Sequence, residues 1–356
     1  MEVVLDKTVN FAVLGVGVPN QNLGGHSVYN GIGEVHAHFI SQTPGARLTA
    51  CCDLNRDNGE AYARKFSCDF EHDYERLLAR PDVDVVVVCT PSGLHGEHTE
   101  RAARAGKHVI VEKPLEITLA KADSMLTAVR ESGVKGVIVF PTRYYSAVNA
   151  VRDAINAGHF GTPALINALC LRYRDDVYYS GWRGTWALDG GGACMNQGIH
   201  MIDALLYLLD DLATVQARWD TIGHPKDLVE VEDVALALLT FRRGTLGTIQ
   251  CTTCAWPDHG ERIELHAMDG SVSLATHRVL DWQMANDAHL PDLSTLVERD
   301  EEFTGHRLLY LEAVPYFRGE GPCRCEIASG RRSLALIEAI YDSARQGGAV
   351  IEPVLG

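Results

Sequence analysis

Strand-like and helix-like segments alternate with unusual regularity through the first 140 residues. Apolar, β-branched runs occur at 11–14, 47–52, 83–89, 108–111 and 136–140. Helix-periodic segments at 34–41, 59–66, 74–79, 97–105 and 119–132 separate them. Runs of that kind, apolar on both faces and joined through helices, fit a parallel sheet covered on both sides. Few other arrangements bury such strands.

The texture changes after residue 145. A helix over 147–157 leads to strands at 164–173, 214–220, 234–241, 245–254, 262–268 and 272–275, with short turns at Arg243-Gly244 and Asp269-Gly270. Runs of strands joined by tight turns predict a largely antiparallel sheet. One helix over 196–209 precedes most of that sheet and another, near 333–345, closes the chain. The expected fold is α/β: an N-terminal Rossmann-type doubly wound parallel sheet over 1–140, then an α+β domain over 141–356 with a large, mostly antiparallel open sheet. At roughly 150 residues per domain, 356 residues accommodate two such bodies.

Composition narrows the partners. Thirty-two basic against 47 acidic residues leave a net charge of −15, which argues against nucleic acid. The longest apolar run is far below the roughly 20 residues that a membrane span needs, and the first residues show no basic region followed by a signal-peptide core. Ten cysteines raise the question of a metal or disulfide framework. Cys251 and Cys254 have zinc-knuckle spacing, but on a strand residues three apart face opposite ways. No metal site is expected, and the cysteine usage suggests a reducing, cytoplasmic setting.

The first strand ends in Gly15-Val-Gly17, the beginning of a dinucleotide-binding turn. Its third glycine matches Gly33, in Ile32-Gly33-Glu-Val-His36, after an insertion of 13 residues at 18–30. Asp53 ends the second strand; its distance from Gly15 is 38, and 38 − 13 = 25, near the spacing of roughly 20 at which an acid meets the ribose. A carboxylate there favours NAD; Arg56 leaves NADP admissible. The polar, Gly- and Asn-rich insertion is expected to be a loop at the pyrophosphate, acting as lid, wall or subunit contact, or as a tolerated lengthening.

Two further segments carry chemistry. One strand finishes at Cys89-Thr90-Pro91-Ser92 with His95 opening the next helix, and the following strand finishes at Glu112-Lys113-Pro114. Strand C-termini of doubly wound sheets are where ligands bind, so Lys113 is expected beside the nicotinamide; a proline there suits a cis bond. Farther on, Gly190-Gly191-Gly192 leads into a helix bearing Asn196 and His200 at i and i+4, hence on one face.

This combination resembles the Gfo/Idh/MocA family, the glucose–fructose oxidoreductase and inositol dehydrogenase group of sugar and cyclitol oxidoreductases. The likeness rests on Thr90-Pro91-Ser92-Gly93-Leu94-His95, on residues 105–114 and on residues 190–200. It implies a cofactor site of Gly15, Gly17, Ile32, Gly33, Asp53, Thr90, Pro91, Ser92, His95, Glu112 and Lys113. It also implies that Lys113 and His200 handle the proton of a substrate hydroxyl, with Asn196 standing where the commoner residue is Asp. Unlike Asp, Asn orients by hydrogen bonding alone. Arg143, Tyr144, Trp182 and Arg183, with Asn196 and His200, are expected to bind substrate; Tyr178, Tyr179 and Trp186 could stack on a sugar, and His306 resembles a cleft position. The implied activity is NAD-dependent oxidation of a secondary ring hydroxyl, with C3 expected, of a sugar, glycoside or sugar nucleotide. An inositol dehydrogenase and a non-catalytic dinucleotide-binding regulator are the alternatives. Homodimers or homotetramers formed through the C-domain sheet are also implied.

Overall fold

In the computed structural model the described residues are 8–17, 31–275, 278–296 and 303–356; the insertion at 18–30 lies outside them. The chain runs β1 (Val9–Leu14), α1 (Ile32–Gln42), β2 (Ala46–Cys52), α2 (Arg56–Phe66), β3 (Asp69–Glu71), α3 (Tyr74–Leu78), β4 (Val85–Val88), α4 (His95–Arg104), β5 (His108–Val111), α5 (Leu119–Glu131) and β6 (Gly136–Ile138). It continues through α6 (Ser146–Asn156), β7 (Pro163–Leu171), a π-turn (Ala193–Gly198) and α7 (Ile199–Leu208). Then come β8 (Leu212–Asp220), β9 (Val234–Phe241), β10 (Leu246–Thr252), β11 (Gly260–Ala267), β12 (Gly270–Ala275), β13 (Arg278–Met284), α8 (Thr304–Arg318) and α9 (Arg331–Arg345).

The described residues divide into two units. One comprises those of 1–115, 120–141 and 300–329; the other those of 116–119, 142–299 and 330–356. The first is a parallel sheet in the order β3-β2-β1-β4-β5-β6. That order reverses between β1 and β4, the switch point outside which ligands bind in doubly wound sheets. β4 is four valines, all fully buried, because helices cover both faces.

The unit does not end near residue 140. α8 returns to it, placing the Tyr310 and Phe317 rings 5.7 and 6.2 Å from Phe11 of β1. The division at 140/141 read from the sequence does not show this return of the chain. The core under β1 is completed by aromatic groups about 300 residues away in sequence, a closure that no local pattern signals.

In the second unit seven strands lie in the order β13-β12-β11-β7-β10-β9-β8, antiparallel except for the β7–β10 pair. Along β9, Ala235, Ala237 and Leu239 are buried while Leu236 and Leu238 are exposed, the period-two pattern of a sheet covered on one face. α7 packs on β7, and α9 on β8 and α7.

The expected helix over 196–209 opens differently. Its first turn is the π-turn, and regular α-helix begins only at Ile199. Gly198 lies so close to Cys251 that a Cβ would stand 2.4 Å from the thiol sulfur. Only a glycine lets the wide turn sit on the sheet there.

Candidate active site

In the first unit, Gly15 and Gly17 take positive φ of 87° and 85°, so each reverses the chain as only glycine does cheaply. A Cβ on Gly33 would stand 2.7 Å from the Gly15 carbonyl oxygen, so α1 starts directly against the turn. Among the described residues no side chain caps that helix start; the Glu34 amide donates to the Gly31 carbonyl at 3.1 Å, and the amides before it suit an anion. Asp53 is held at the end of β2: Oδ2 accepts from the Val16 amide at 2.9 Å and Oδ1 from the Asn55 amide at 2.8 Å. The glycine cradle, uncapped helix and fixed acid fit the pyrophosphate and adenosine ribose of NAD.

The ends of β4 and β5 are tied together by His95. Its Nδ1 lies 2.7 Å from the Pro114 carbonyl oxygen and its Nε2 2.9 Å from that of Thr90. The ring is buried, so this residue, expected on cofactor grounds, braces the two loops that would flank the nicotinamide. The Thr90 hydroxyl lies 3.1 Å from Nδ1 of His98, whose imidazole burial pushes down to about 4. Pro91 and Ser92 form the loop between, Ser92 being buried. The Lys113–Pro114 bond is cis.

Beside the half-buried Lys113 stands a network that the sequence did not announce. Glu112 Oε1 is 3.0 Å from His36 Nε2 and 3.8 Å from His306 Nε2, while Oε2 accepts the Lys113 amide at 3.1 Å. His36 Nδ1 lies 2.7 Å from the Tyr310 hydroxyl. Burial opposes charge on Glu112, yet His306 and His36 hold its carboxyl well below the usual range. Burial conversely lowers His306, against the pull of Glu112. His306, weakly expected as a cleft residue, is thus part of a buried link from α8 to the residue before Lys113. The signal for His36 was its place one turn beyond Gly33.

In the second unit, the segment bearing Asn196 and His200 is secured from below by Glu232. Its Oε2 accepts the Gly192 amide and its Oε1 the Cys194 amide, both at 2.8 Å, and the Tyr341 hydroxyl donates to Oε1 at 2.9 Å. Burial nevertheless pushes this carboxyl up to about 7. A Cβ on Gly192 would stand 1.9 Å from the Glu232 carbonyl oxygen.

Asn196 is the centre of a chain of hydrogen bonds. Its Nδ2 donates to Asp189 Oδ1 at 2.7 Å, and the Tyr178 hydroxyl donates to its Oδ1 at 3.1 Å. Gln197 Nε2 donates to Tyr178 at 2.8 Å, and Arg174 donates to Gln197 Oε1 at 2.7 Å. Asp189 Oδ2 accepts the Gly184 amide. His200, half-buried, follows on the first turn of α7. One turn on, Asp203 receives Arg143 through Nε at 2.8 Å and Nη2 at 2.7 Å. The charge of Arg143, expected at the substrate, is therefore already balanced inside the unit. Tyr144 is buried beside it in sequence. Trp182 and Arg183 lie on the loop before the glycines, and Trp186 donates its indole N–H to the Glu230 carbonyl at 2.9 Å.

All ten cysteines are free. Among the described residues His224, Asp233 and Cys254 bring potential metal-ligand atoms within 4.8 Å of one another. Asp233 Oδ2 already faces the amides of Gly223 and His224 and the His224 ring, so the group closes the loop before β9 with protein donors.

A nucleotide-binding sheet with an EKP strand end, and a second body with a Gly-rich turn into an Asn/His helix, define an NAD-binding oxidoreductase. Residues 28–140 match the NAD-binding Rossmann domain of an oxidoreductase family, and residues 148–273 the GFO/IDH/MocA C-terminal domain. The chain belongs to the Gfo/Idh/MocA family of NAD-binding oxidoreductases. It is similar to the WlbA dehydrogenase of Bordetella pertussis, solved with NADH and UDP-GlcNAcA: 29% identity, 99% of each chain covered, TM-score 0.87. It is 27% identical to the D-glucoside 3-dehydrogenase of Escherichia coli (strain K12) over 89% of this chain and 93% of that one. With the 1,5-anhydro-D-fructose reductase of Ensifer adhaerens it shares 33% identity over 64% of this chain and 68% of the other. No helix among the described residues is long and apolar enough to cross a membrane.

Proposed function

We propose that this enzyme oxidises the C3 hydroxyl of a pyranose, free or carried as a glycoside or sugar nucleotide, to the ketone. The observation that carries this reading is the Asn196 segment. Asp189, Tyr178 and Glu232 fix it from three sides, which holds the start of α7, and with it His200, in one orientation. Such preorganisation is what a sugar hydroxyl needs for directed proton removal. The D-glucoside 3-dehydrogenase likeness supports the ring position.

In this mechanism NAD, when bound, supplies the hydride acceptor. Gly15, Gly17 and Gly33 admit its pyrophosphate, and Asp53 takes the ribose. Either Lys113 or His200 accepts the hydroxyl proton as the C–H electron pair leaves, so a carbonyl forms and one proton remains on the protein. Glu112, anchored by His36, holds the backbone of Lys113. NAD reduction measured across free hexoses, glycosides, sugar nucleotides and inositols, with the product's carbonyl located by NMR, tests the reading. A 3-keto sugar is expected; turnover confined to inositols, or a carbonyl elsewhere on the ring, overturns it.

We also infer a homo-oligomer built on the open face of the seven-stranded sheet. Leu165, Leu236, Leu238 and Leu246 are exposed there on three adjoining strands, a patch that monomers rarely leave wet.

A further inference from the structure

Among the described residues of the second unit, Arg183 is set against aromatic rings with no acid opposite it. The Arg183 guanidinium stands 4.8 Å from the Tyr178 ring centroid and 5.0 Å from that of Trp182. Its Nε is buried and has no hydrogen-bond partner, and no acidic side chain pairs with it among the described residues. The Nε atoms of Arg172 and Arg174 are buried without a partner too, but those arginines have acids opposite their Nη groups. Arg143 is committed to Asp203; Arg174 is shared between Asp258, at 3.3 Å, and Gln197; Arg172 reaches Asp258 and Glu261. Asp189, which acts electrostatically on the same tyrosine, accepts from Asn196 and Gly184 instead.

A guanidinium with no acid opposite it, half-buried against two rings, gains a charge-assisted hydrogen bond when an anion arrives. Stacking on two rings holds the planar fork rigid, which suits it to an oxyanion. The ring under Arg183 is also the one whose hydroxyl donates to Asn196. Whatever Arg183 binds therefore lies next to the segment that orients His200. If the arginine were mere filler over the aromatic rings, burying its Nε would bring no gain; an exposed lysine or methionine would cover them equally well.

We propose that Arg183 is an anion-reading residue and that the sugar substrate carries an oxyanion, a carboxylate or a phosphoryl group, that it grips. This rests on the dehydrogenase reading above and adds a substrate class to it. A matched set tests it: a neutral pyranoside, the corresponding uronate, and the corresponding sugar phosphate or nucleotide sugar. The uronate arm reports a carboxylate and the phosphate arm a phosphoryl group. One anionic member is expected to exceed the neutral sugar in kcat/KM. Arg183→Met should lower that anionic-to-neutral ratio roughly 10- to 150-fold, the worth of a charge-assisted hydrogen bond, and Arg183→Lys should restore part of it.

A neutral sugar preferred by the wild type, or a ratio that Arg183→Met leaves unmoved, overturns the proposal. If no member is oxidised, calorimetric titration of the NAD-loaded protein with the uronate and the sugar phosphate decides. Binding lost in Arg183→Met then sustains the anion site and sinks the dehydrogenase reading. Binding indifferent to the substitution, or absent altogether, sinks the anion site. Thermal melts of both variants show whether they are folded.

Discussion

Asn196 donates its side-chain amide to Asp189 at 2.7 Å, and Asp189 is buried. In the family that the chain resembles, the commoner residue at 196 is an acid. The structure instead has an amide there whose nitrogen is given to a carboxylate seven residues earlier. The negative charge has moved one step out from His200; it has not been lost. Asn196→Asp should therefore impair the enzyme. Two carboxylates at hydrogen-bond distance either repel or share a proton, so a stability loss of about 1–3 kcal/mol and a fall in turnover at neutral pH are expected. The reciprocal double variant, Asn196→Asp with Asp189→Asn, should recover most of both. Thermal melts and pH–rate profiles of the three variants check this; an active, fully stable single variant would refute the pairing.

Lys113→Ala and His200→Ala should each reduce kcat by roughly 100- to 10,000-fold, the usual range for a removed proton acceptor. The pH profile of kcat/KM distinguishes their roles, because loss of the base removes the acid limb while loss of an orienting donor preserves it. Near-normal turnover in both would remove the proton-handling assignment.

Glu232 gives stability a pH dependence of definite sign. Burial raises its carboxyl from an ordinary 4.5 to about 7, so between those values the native state holds a proton that the unfolded chain has lost. Its contribution is full below 4.5 and disappears as pH rises through 7. His98, in the other unit, works in the opposite sense. Its imidazole is pushed from 6.5 to about 4, so its contribution is present above 6.5 and is lost as pH falls through 4. Chemical denaturation from acid to neutral pH should show Glu232→Gln removing the loss on the alkaline side, and His98→Gln weakening the loss on the acid side. Glu232→Gln should also cost about 1–3 kcal/mol at neutral pH, because an amide cannot accept from both Gly192 and Cys194 while its nitrogen faces one of them. An unchanged pH dependence in Glu232→Gln would show that its carboxyl titrates elsewhere.

Leu238 is 62% exposed on β9, next to the edge strand of the open sheet face. Leu238→Glu should dissociate the oligomer, read by light scattering coupled to size exclusion, with the secondary structure unchanged by circular dichroism. A wild type that is already a monomer at working concentration would end that inference.

The legible strands are those of the first sheet's interior and six of the second sheet, β7 to β12, marked by their alternation and tight turns. β4 and β5 read directly as apolar β-branched runs, because the sheet interior shapes their composition. β3 and β13 were not seen, and both lie at sheet edges, where solvent lets Asp69, Glu71, Arg278 and Asp281 stand. α8 was missed as well: Pro315 interrupts its pattern, and its role is decided by β1 on the far side of the sequence. At the site, glycines, lysine and histidine were legible as spaced motifs. Their supports, Asp189, Glu232 and Tyr310, were not, since a buried polar residue gains its meaning only from the donors that surround it.

Local composition thus settled most of the order of strands and helices and the glycine turn after β1, and it proposed the groups for cofactor and hydroxyl, because period and spacing are properties of neighbours along the chain. Tertiary structure alone decided which arginine is spent and which is free, where the charge beside Asn196 resides, and that α8 completes the first unit. Those are outcomes of distance in space. In the low-dielectric interior, a pairing over a few ångströms determines whether a charge is balanced or left waiting for a ligand.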